Sequence, residues 1–185
     1  QAVLAYFLLM FLLRGMPFID LAHLRKRDMQ DGRITYSRHK TDKPITVRIP
    51  REALALIAKY ADRHSASPYL FPILDAGIRD GWLSYRNYQD ALRHFNRKLG
   101  QVMSRLLPGV RVSSYTARHT WATLAFHSGQ PVGIISQALG HSSLRVTETY
   151  LKPFGNELVD KANRQLIASV RKCKWKNETE YRAGL

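Results

Sequence analysis

Two arginines stand where a charge is expensive to bury. Arg14 follows twelve nearly unbroken apolar residues, 2–13, and Arg118 lies in SSYTARHTWATLAF, whose other residues are mostly apolar or small. A guanidinium stays charged at any accessible pH and can hold a phosphate through two parallel N–H donors. Such a pair could clamp both non-bridging oxygens of one phosphodiester and stabilise its pentacoordinate transition state. Taken alone, Arg14 could equally be a helix-end arginine that reaches water.

A short segment further along the chain isolates one tyrosine. LGHSSLRVTETYLKPF, residues 139–154, holds His141 nine positions before Tyr150, with a Gly-His break ahead and a Lys-Pro break behind. The spacing predicts a short helix that bears Tyr150 and is broken by Pro153. From this segment alone, the phenol could simply cap the core beside Leu151.

The charge balance predicts a polyanionic partner. The 185 residues carry 29 Lys+Arg against 14 Asp+Glu, a formal net charge of +15, which favours nucleic acid. An anionic membrane surface is the weaker alternative, because no basic amphipathic helix stands out. The apolar run 2–13 is too short to span a bilayer and lacks the flanks of an export signal, so a buried helix is expected and no membrane partner.

Cysteine and histidine usage argues against a disulfide and a metal centre. Cys173 is the single cysteine, which fits a reducing compartment. The seven histidines form no pattern with Cys, Asp or Glu that is typical of a ligand set, so no metal is predicted.

Apolar periodicity predicts a mainly α-helical (α+β) fold with one small antiparallel sheet. The strands are 32–37 and 45–50, which flank a basic hairpin loop, RHKTDKP. Residues 65–83 are expected to form a long connection, and Ser84 to cap the clearest helix. The predicted helices are 2–14, 18–29, 51–64, 84–106, 116–128, 131–140 and 156–170. A polar tail is predicted over 171–185, which leaves one domain over 1–170.

Five segments, in order, resemble the catalytic domain of the tyrosine recombinase (phage integrase) family, in the branch carried by mobile elements and conjugative transposons. They are RGMPFIDLAHL with Arg14, RHKTDKP with Lys40, ARHTWAT with Arg118 and His119, LGHSS with His141, and TETYLKPF with Tyr150. The spacings of 23 residues from Arg118 to His141 and nine to Tyr150 match the family. The likeness runs from about residue 2 to 170.

The resemblance implies a role for each residue of the set. Tyr150 would attack a DNA phosphate, giving a 3′-phosphotyrosyl link and a free 5′-hydroxyl; phenolate is a moderate leaving group, so the step reverses. Arg14 and Arg118 would hold the scissile phosphate, and His141 would donate a further hydrogen bond. Lys40 would protonate the departing 5′-oxygen. Neither metal, ATP nor another cofactor is implied.

Other residues keep two interpretations. Lys43 is a nearby rival of Lys40, and His119 belongs to the motif but is expected to pack or support rather than react. Asp20 would orient an arginine or be an ordinary helix carboxylate. Tyr115 stands where many family members have His or Lys, so it either contacts the phosphate or fills core. Candidates for contacts to the DNA backbone are Arg25, Lys26, Arg27, Arg38, Lys43 and Arg145.

The resemblance also implies partners and assembly. Double-stranded DNA would be bound by a homotetramer on paired recombination sites, with the helix at 156–170 exchanged between neighbours. The family's N-terminal DNA-binding domain is not part of this chain, so weak DNA binding is expected. The expected location is the cytoplasm, with bacterial nucleoid association when DNA is bound. A type IB topoisomerase, a DNA-binding regulator with a relict active site and a basic RNA binder are the alternatives.

Overall fold

The computed structural model describes residues 1–78, 80–151 and 155–182, with side chains as far as residue 169. The chain forms two compact units, Gln1–Leu151 and Lys152–Leu185. The first unit is mainly α-helical with one three-stranded antiparallel sheet, which confirms the predicted fold class.

The elements follow one another along the chain, with one long connection between residues 60 and 81. The helices of the first unit are α1 Ala2–Leu12, α2 Phe18–His23, α3 Arg51–Tyr60, α4 Gly81–Leu106, α5 Ser114–His127, α6 Val132–Leu139 and α7 Leu144–Glu148. The strands are β1 Met29–Gln30, β2 Arg33–Ser37 and β3 Pro44–Arg48. The second unit contains α8, Asn156–Arg182.

Several predicted boundaries differ from the structure; the third helix, for example, ends at Tyr60 instead of 64. The second helix ends at His23 instead of 29, because a 3₁₀ turn and β1 follow it. The Ser84 cap is wrong: α4 begins three residues earlier, where the Asp80 carboxylate accepts a hydrogen bond from the Leu83 amide at 2.8 Å. Tyr150 lies two residues beyond the end of α7, not on the helix. Helix α8 continues past the predicted end at 170, and Pro153 lies outside the described residues.

The core is built around α1, which packs against α3, α4 and α5. Leu9 and Met10 on this helix are fully buried, which confirms the predicted buried helix. Phe18 at the start of α2 stacks on Phe95 of α4 with ring centroids 4.4 Å apart. Burial of these apolar side chains supplies most of the stability that holds the surrounding elements in place.

The hairpin formed by β2 and β3 carries a loop towards α6. Its inward residues Ile34, Tyr36, Ile45 and Val47 alternate with exposed ones, as the period of two requires. A second, smaller core of Ala122, Ile135 and Leu139 joins α5 to α6, and Tyr150 packs against it. No described helix combines the length and the apolar character needed to cross a membrane.

Candidate active site

Arg118 is the centre of the site and is almost completely buried. Helix α5 begins with a capping box between Ser113 and Thr116, and one turn later Arg118 points inward, 2% exposed. Its Nη1 donates to the Gly15 carbonyl at 2.8 Å and its Nη2 to the Leu139 carbonyl at 2.6 Å. Among the described residues, its Nε has no hydrogen-bond partner and no carboxylate lies within ion-pair distance.

The buried charge of Arg118 is therefore not neutralised by the protein. Burial lowers the pKa of its guanidinium, and repulsion from Arg38 lowers it further. Carbonyl oxygens satisfy donors but do not cancel a positive charge. An anion such as a phosphate would supply the missing charge.

The same guanidinium fixes the state of His141. Nη2 of Arg118 lies 2.9 Å from Nε2 of His141. An arginine has no acceptor, so Nε2 must accept, and the ring proton is on Nδ1, which donates to Oγ1 of Thr147 at 2.8 Å. Burial, followed by the charges of Arg118 and Arg38, lowers the pKa of His141 to about 4. His141 is therefore neutral at neutral pH.

Tyr150 lies directly over this pair. Its ring stacks on His141 with centroids 5.2 Å apart, and Cζ of Arg118 is 5.9 Å from the ring centroid. His119 contacts the same ring, with centroids 4.5 Å apart. The Tyr150 carbonyl accepts a hydrogen bond from the Thr123 hydroxyl at 3.2 Å, which holds the backbone after α7 against α5. The ring of Tyr150 therefore lies beside the buried Arg118 of the same chain.

Tyr115 lies beside the phenol of Tyr150. Its side chain is 48% exposed, which argues against the interpretation that it fills core. Partial burial and then a hydrogen bond with Tyr150 raise the pKa of Tyr115. Its ring also contacts His119, with centroids 5.6 Å apart.

Arg14 lies just beyond the end of α1. It adopts φ 61°, a left-handed conformation that costs a non-glycine residue about 1 kcal/mol or more and is concentrated at functional sites. Its Nη1 donates to the Thr46 carbonyl at 3.4 Å. The next residue, Gly15, supplies the carbonyl that accepts from Arg118, so Arg118 holds the backbone one residue after Arg14. Burial raises the pKa of the Tyr36 hydroxyl, whereas the positive charges of Arg118 and Arg14 lower it.

The hairpin loop places two lysines near His141. Lys40 is exposed at its tip, and its charge helps to lower the pKa of His141. Lys43 donates from Nζ to the His141 carbonyl at 2.9 Å. Lys43 is thus held by the backbone of the turn, whereas Lys40 faces solvent.

Asp20 and Arg38 form a buried ion pair beside the site. Oδ2 of Asp20 lies 3.6 Å from Nε of Arg38, and Nη1 of Arg38 donates to the Gly140 carbonyl at 3.2 Å. Burial raises the pKa of Asp20 although Arg38 opposes this shift. Asp20 therefore pairs with an arginine, as one interpretation expected, but the partner is Arg38. Arg38, a candidate for contact with the DNA backbone, is only 4% exposed and is ion-paired within the protein.

The remaining predicted backbone cations lie on the surface. Arg25 is exposed just before the 3₁₀ turn Lys26–Asp28, Arg27 is exposed within it, and Arg145 is exposed on α7. Lys26 is half-buried and donates from Nζ to the His64 carbonyl. Sequence reasoning missed Thr147, because its contact with His141 depends on the turn between α6 and α7 and leaves no signal in spacing. Among the described residues, no cluster of three or more His, Cys, Asp or Glu side chains could hold a metal.

The comparisons with known proteins agree on one family. The family model described as "Phage integrase family" matches residues 1–157. Tyrosine recombinase XerA of Pyrococcus furiosus is 29% identical over 155 residues, covering 80% of this chain and 51% of that protein. The chain spans about half the length of the curated relatives it matches.

Two solved structures share the fold. The crystal structure of XerA recombinase matches with a TM-score of 0.63 at 20% identity, over 89% of this chain and 61% of that one. The Tn1549 transposon integrase in complex with circular intermediate DNA matches with a TM-score of 0.60 at 18% identity, over 87% and 59%. At these identities the likeness is evidence for the architecture alone.

Proposed function

The chain belongs to the phage integrase family, and we propose that it is the catalytic part of a site-specific DNA recombinase or integrase that cleaves and rejoins strands through Tyr150. The observation that carries the proposal is the convergence of two distant segments: the Tyr150 ring lies over His141 and the uncompensated guanidinium of Arg118. A cationic, buried arginine next to a phenol suits attack on a phosphodiester.

The proposed chemistry is a transesterification. The Tyr150 hydroxyl releases its proton to solvent and its oxygen bonds to phosphorus as the bond from phosphorus to the 5′-oxygen breaks, which leaves a 3′-phosphotyrosyl link and a 5′-hydroxyl. Arg14 and Arg118 hold the non-bridging oxygens. Lys40 gives its proton to the departing oxygen, a step for which an exposed loop cation close to His141 is suited. Rejoining is the reverse reaction.

His141 and Tyr115 play supporting roles in this proposal. In the DNA-free state Nε2 of His141 accepts from Arg118, so donation to a phosphate requires that nitrogen to take up a proton. A bound phosphate favours this change because it offsets the cations that lower the pKa of His141. Tyr115 lies beside the Tyr150 phenol, which contributes to the raised pKa of Tyr115, so it is suited to orient that phenol as well as to contact the phosphate.

We also propose the partners of the full protein. Double-stranded DNA fits the net charge of +15. In the part of α8 whose side chains the structure describes, four large apolar side chains are exposed, which supports exchange of this helix between the members of a tetramer. They are Leu158, Val159, Leu166 and Ile167. In this proposal residues 1–170 are the catalytic domain, 171–185 are a polar extension, and the protein acts on DNA in the nucleoid.

A covalent adduct tests the proposal. The protein is incubated with a pool of nicked suicide duplexes with randomised flanks, and adducts are recovered and sequenced to define the target. Tyr150→Phe abolishes the adduct because it removes the attacking oxygen. Tyr85→Phe is the matched control at an exposed tyrosine and retains it. An adduct that survives Tyr150→Phe contradicts the assignment.

The alternatives give different products. Exchange between two recovered sites supports a recombinase, whereas relaxation of a supercoiled plasmid without exchange supports a type IB topoisomerase. Sequence-specific binding without any adduct supports a regulator with a relict active site.

A further inference from the structure

The hairpin loop, residues 38–43, is fastened to the turn at 139–141. Three side chains of the loop donate to two successive carbonyls of that turn. Arg38 and Thr41 reach the Gly140 carbonyl at 3.2 and 3.4 Å, and Lys43 reaches the His141 carbonyl at 2.9 Å. The loop is closed on itself by a hydrogen bond from the Thr41 amide to the Arg38 carbonyl at 3.1 Å. The segment that bears Lys40 is therefore tied to the segment that bears His141.

Asp20 fixes the same loop from the opposite side. Its Oδ1 accepts from the His39 amide at 2.9 Å, and its Oδ2 faces Nε of Arg38 at 3.6 Å. Among the described residues, neither that Oδ2 nor that Nε makes a hydrogen bond. A buried ion pair with unmet hydrogen-bonding groups contributes little to net stability, so its presence indicates another role. Arg38 and His39, the two residues directly before Lys40, are thus both immobilised.

We propose that Arg38 is a positioning residue, which holds the hairpin loop on Asp20 and Gly140 and so places Lys40 for proton delivery. Arg38 is 4% exposed and does not touch DNA in this scheme. The inference rests on the proposed function, in which Lys40 is the general acid. It adds that proton transfer depends on a buried cation outside the phosphate-binding set.

The chemistry of the leaving group offers a selective readout. When the bond from phosphorus to the 5′-oxygen breaks, the oxygen takes a proton from the Lys40 ammonium, which becomes an amine. When sulfur replaces that bridging oxygen, a thiolate departs without a proton. A defect in proton delivery disappears with the sulfur substrate, whereas a defect in folding, DNA binding or phosphate activation persists.

The experiment measures single-turnover cleavage of the recovered target under saturating protein, with oxygen or sulfur at the bridging position. Lys40→Ala is the reference variant, and we expect it to be slow with oxygen and restored with sulfur. We expect Arg38→Met to lower the cleavage rate at least about tenfold with the oxygen substrate and less than about twofold with the sulfur substrate. Arg33→Met, at an exposed position on β2, is the matched control and cleaves both substrates at the parental rate.

The outcomes separate the two proposals. If sulfur restores Lys40→Ala but Arg38→Met is equally slow on both substrates, the positioning role is overturned and the proposed function stands. If sulfur does not restore Lys40→Ala, the assigned acid is wrong and the positioning role falls with it, while the adduct at Tyr150 is judged separately.

A second variant guards against loss of folding in Arg38→Met. The double variant Thr41→Val/Lys43→Met keeps the buried ion pair but removes two of the three donors to the turn. We expect this double variant to cleave the oxygen substrate more slowly than the parent, by a smaller factor than Arg38→Met. With the sulfur substrate its cleavage rate should return to that of the parent. A parental rate with oxygen, or equal slowing on both substrates, overturns the inference.

Discussion

At the scale of single residues, the guanidinium of Arg118 determines the state of its neighbours. Because it can only donate, it makes Nε2 of His141 an acceptor and places the ring proton on Nδ1. Its charge is met by carbonyls and a neutral ring, so the site remains cationic in the absence of DNA. The residue that prepares the site for an anion therefore also keeps His141 unprotonated.

This coupling predicts a pH dependence of stability. The folded pKa of His141, about 4, lies below its ordinary value of 6.5, so the unfolded chain binds a proton in this range that the folded chain does not. The contribution of His141 is complete above pH 6.5 and is lost as the pH falls towards 4. We expect His141 to account for up to about 3 kcal/mol of the fall in unfolding free energy between about pH 7 and pH 4.

Urea denaturation at a series of pH values measures this effect. His141→Gln should show a shallower fall than the parent chain, and His64→Gln, at an exposed histidine, should follow the parent. Identical pH profiles for the parent and His141→Gln would refute the linkage.

At the scale of elements, the close approach of the hairpin to the end of α6 depends on Gly140. This residue has φ 66° and ends the helix. A Cβ there would lie 2.6 Å from Cδ1 of Ile45 and 3.0 Å from Cδ of Arg38. The hairpin can therefore reach the turn only where a side chain is absent.

Gly140→Ala should therefore lower the free energy of unfolding by more than the backbone strain alone would. Gly129 is a matched control, because it has φ 80° after α5 and, among the described residues, no atom that a Cβ would meet within 4 Å. We expect Gly129→Ala to lower the unfolding free energy by about 1 kcal/mol and Gly140→Ala by roughly 1–3 kcal/mol more. Equal losses in thermal or urea unfolding would contradict steric contact with the hairpin.

At the scale of the whole molecule, the excess positive charge predicts strongly salt-dependent DNA binding. If about eight phosphates are neutralised, the logarithm of affinity falls with the logarithm of salt at a slope near −7. Arg145→Gln should reduce the slope by about 1, because this exposed arginine is a proposed phosphate contact. Arg38→Met should leave it unchanged, because Arg38 is buried and ion-paired.

Fluorescence anisotropy between about 50 and 200 mM salt, with a duplex of the recovered target, gives these slopes. A parent slope near zero would contradict binding through backbone phosphates. A slope reduced by Arg38→Met, in protein shown to be folded, would mean that this arginine becomes exposed on DNA.

Local patterns predicted much of the fold. The alternation in GRITYS and ITVRIP identified the hairpin, and Gly140 marked the end of α6, because strand period and left-handed turns are properties of short segments. Helix starts were less predictable: Ser84 and Asp80 are both good caps, and the choice of Asp80 depends on how α4 enters the core.

For the site, the sequence determined which side chains are present and in what order, and hence the family. Whether Arg38 faces DNA or lies buried on Asp20 was decided by the tertiary structure alone, as was the contact of Thr147 with His141. The physical reason is that one arginine at a given position can be solvated or buried, and only the carboxylate and carbonyls that other segments bring to it select between these states.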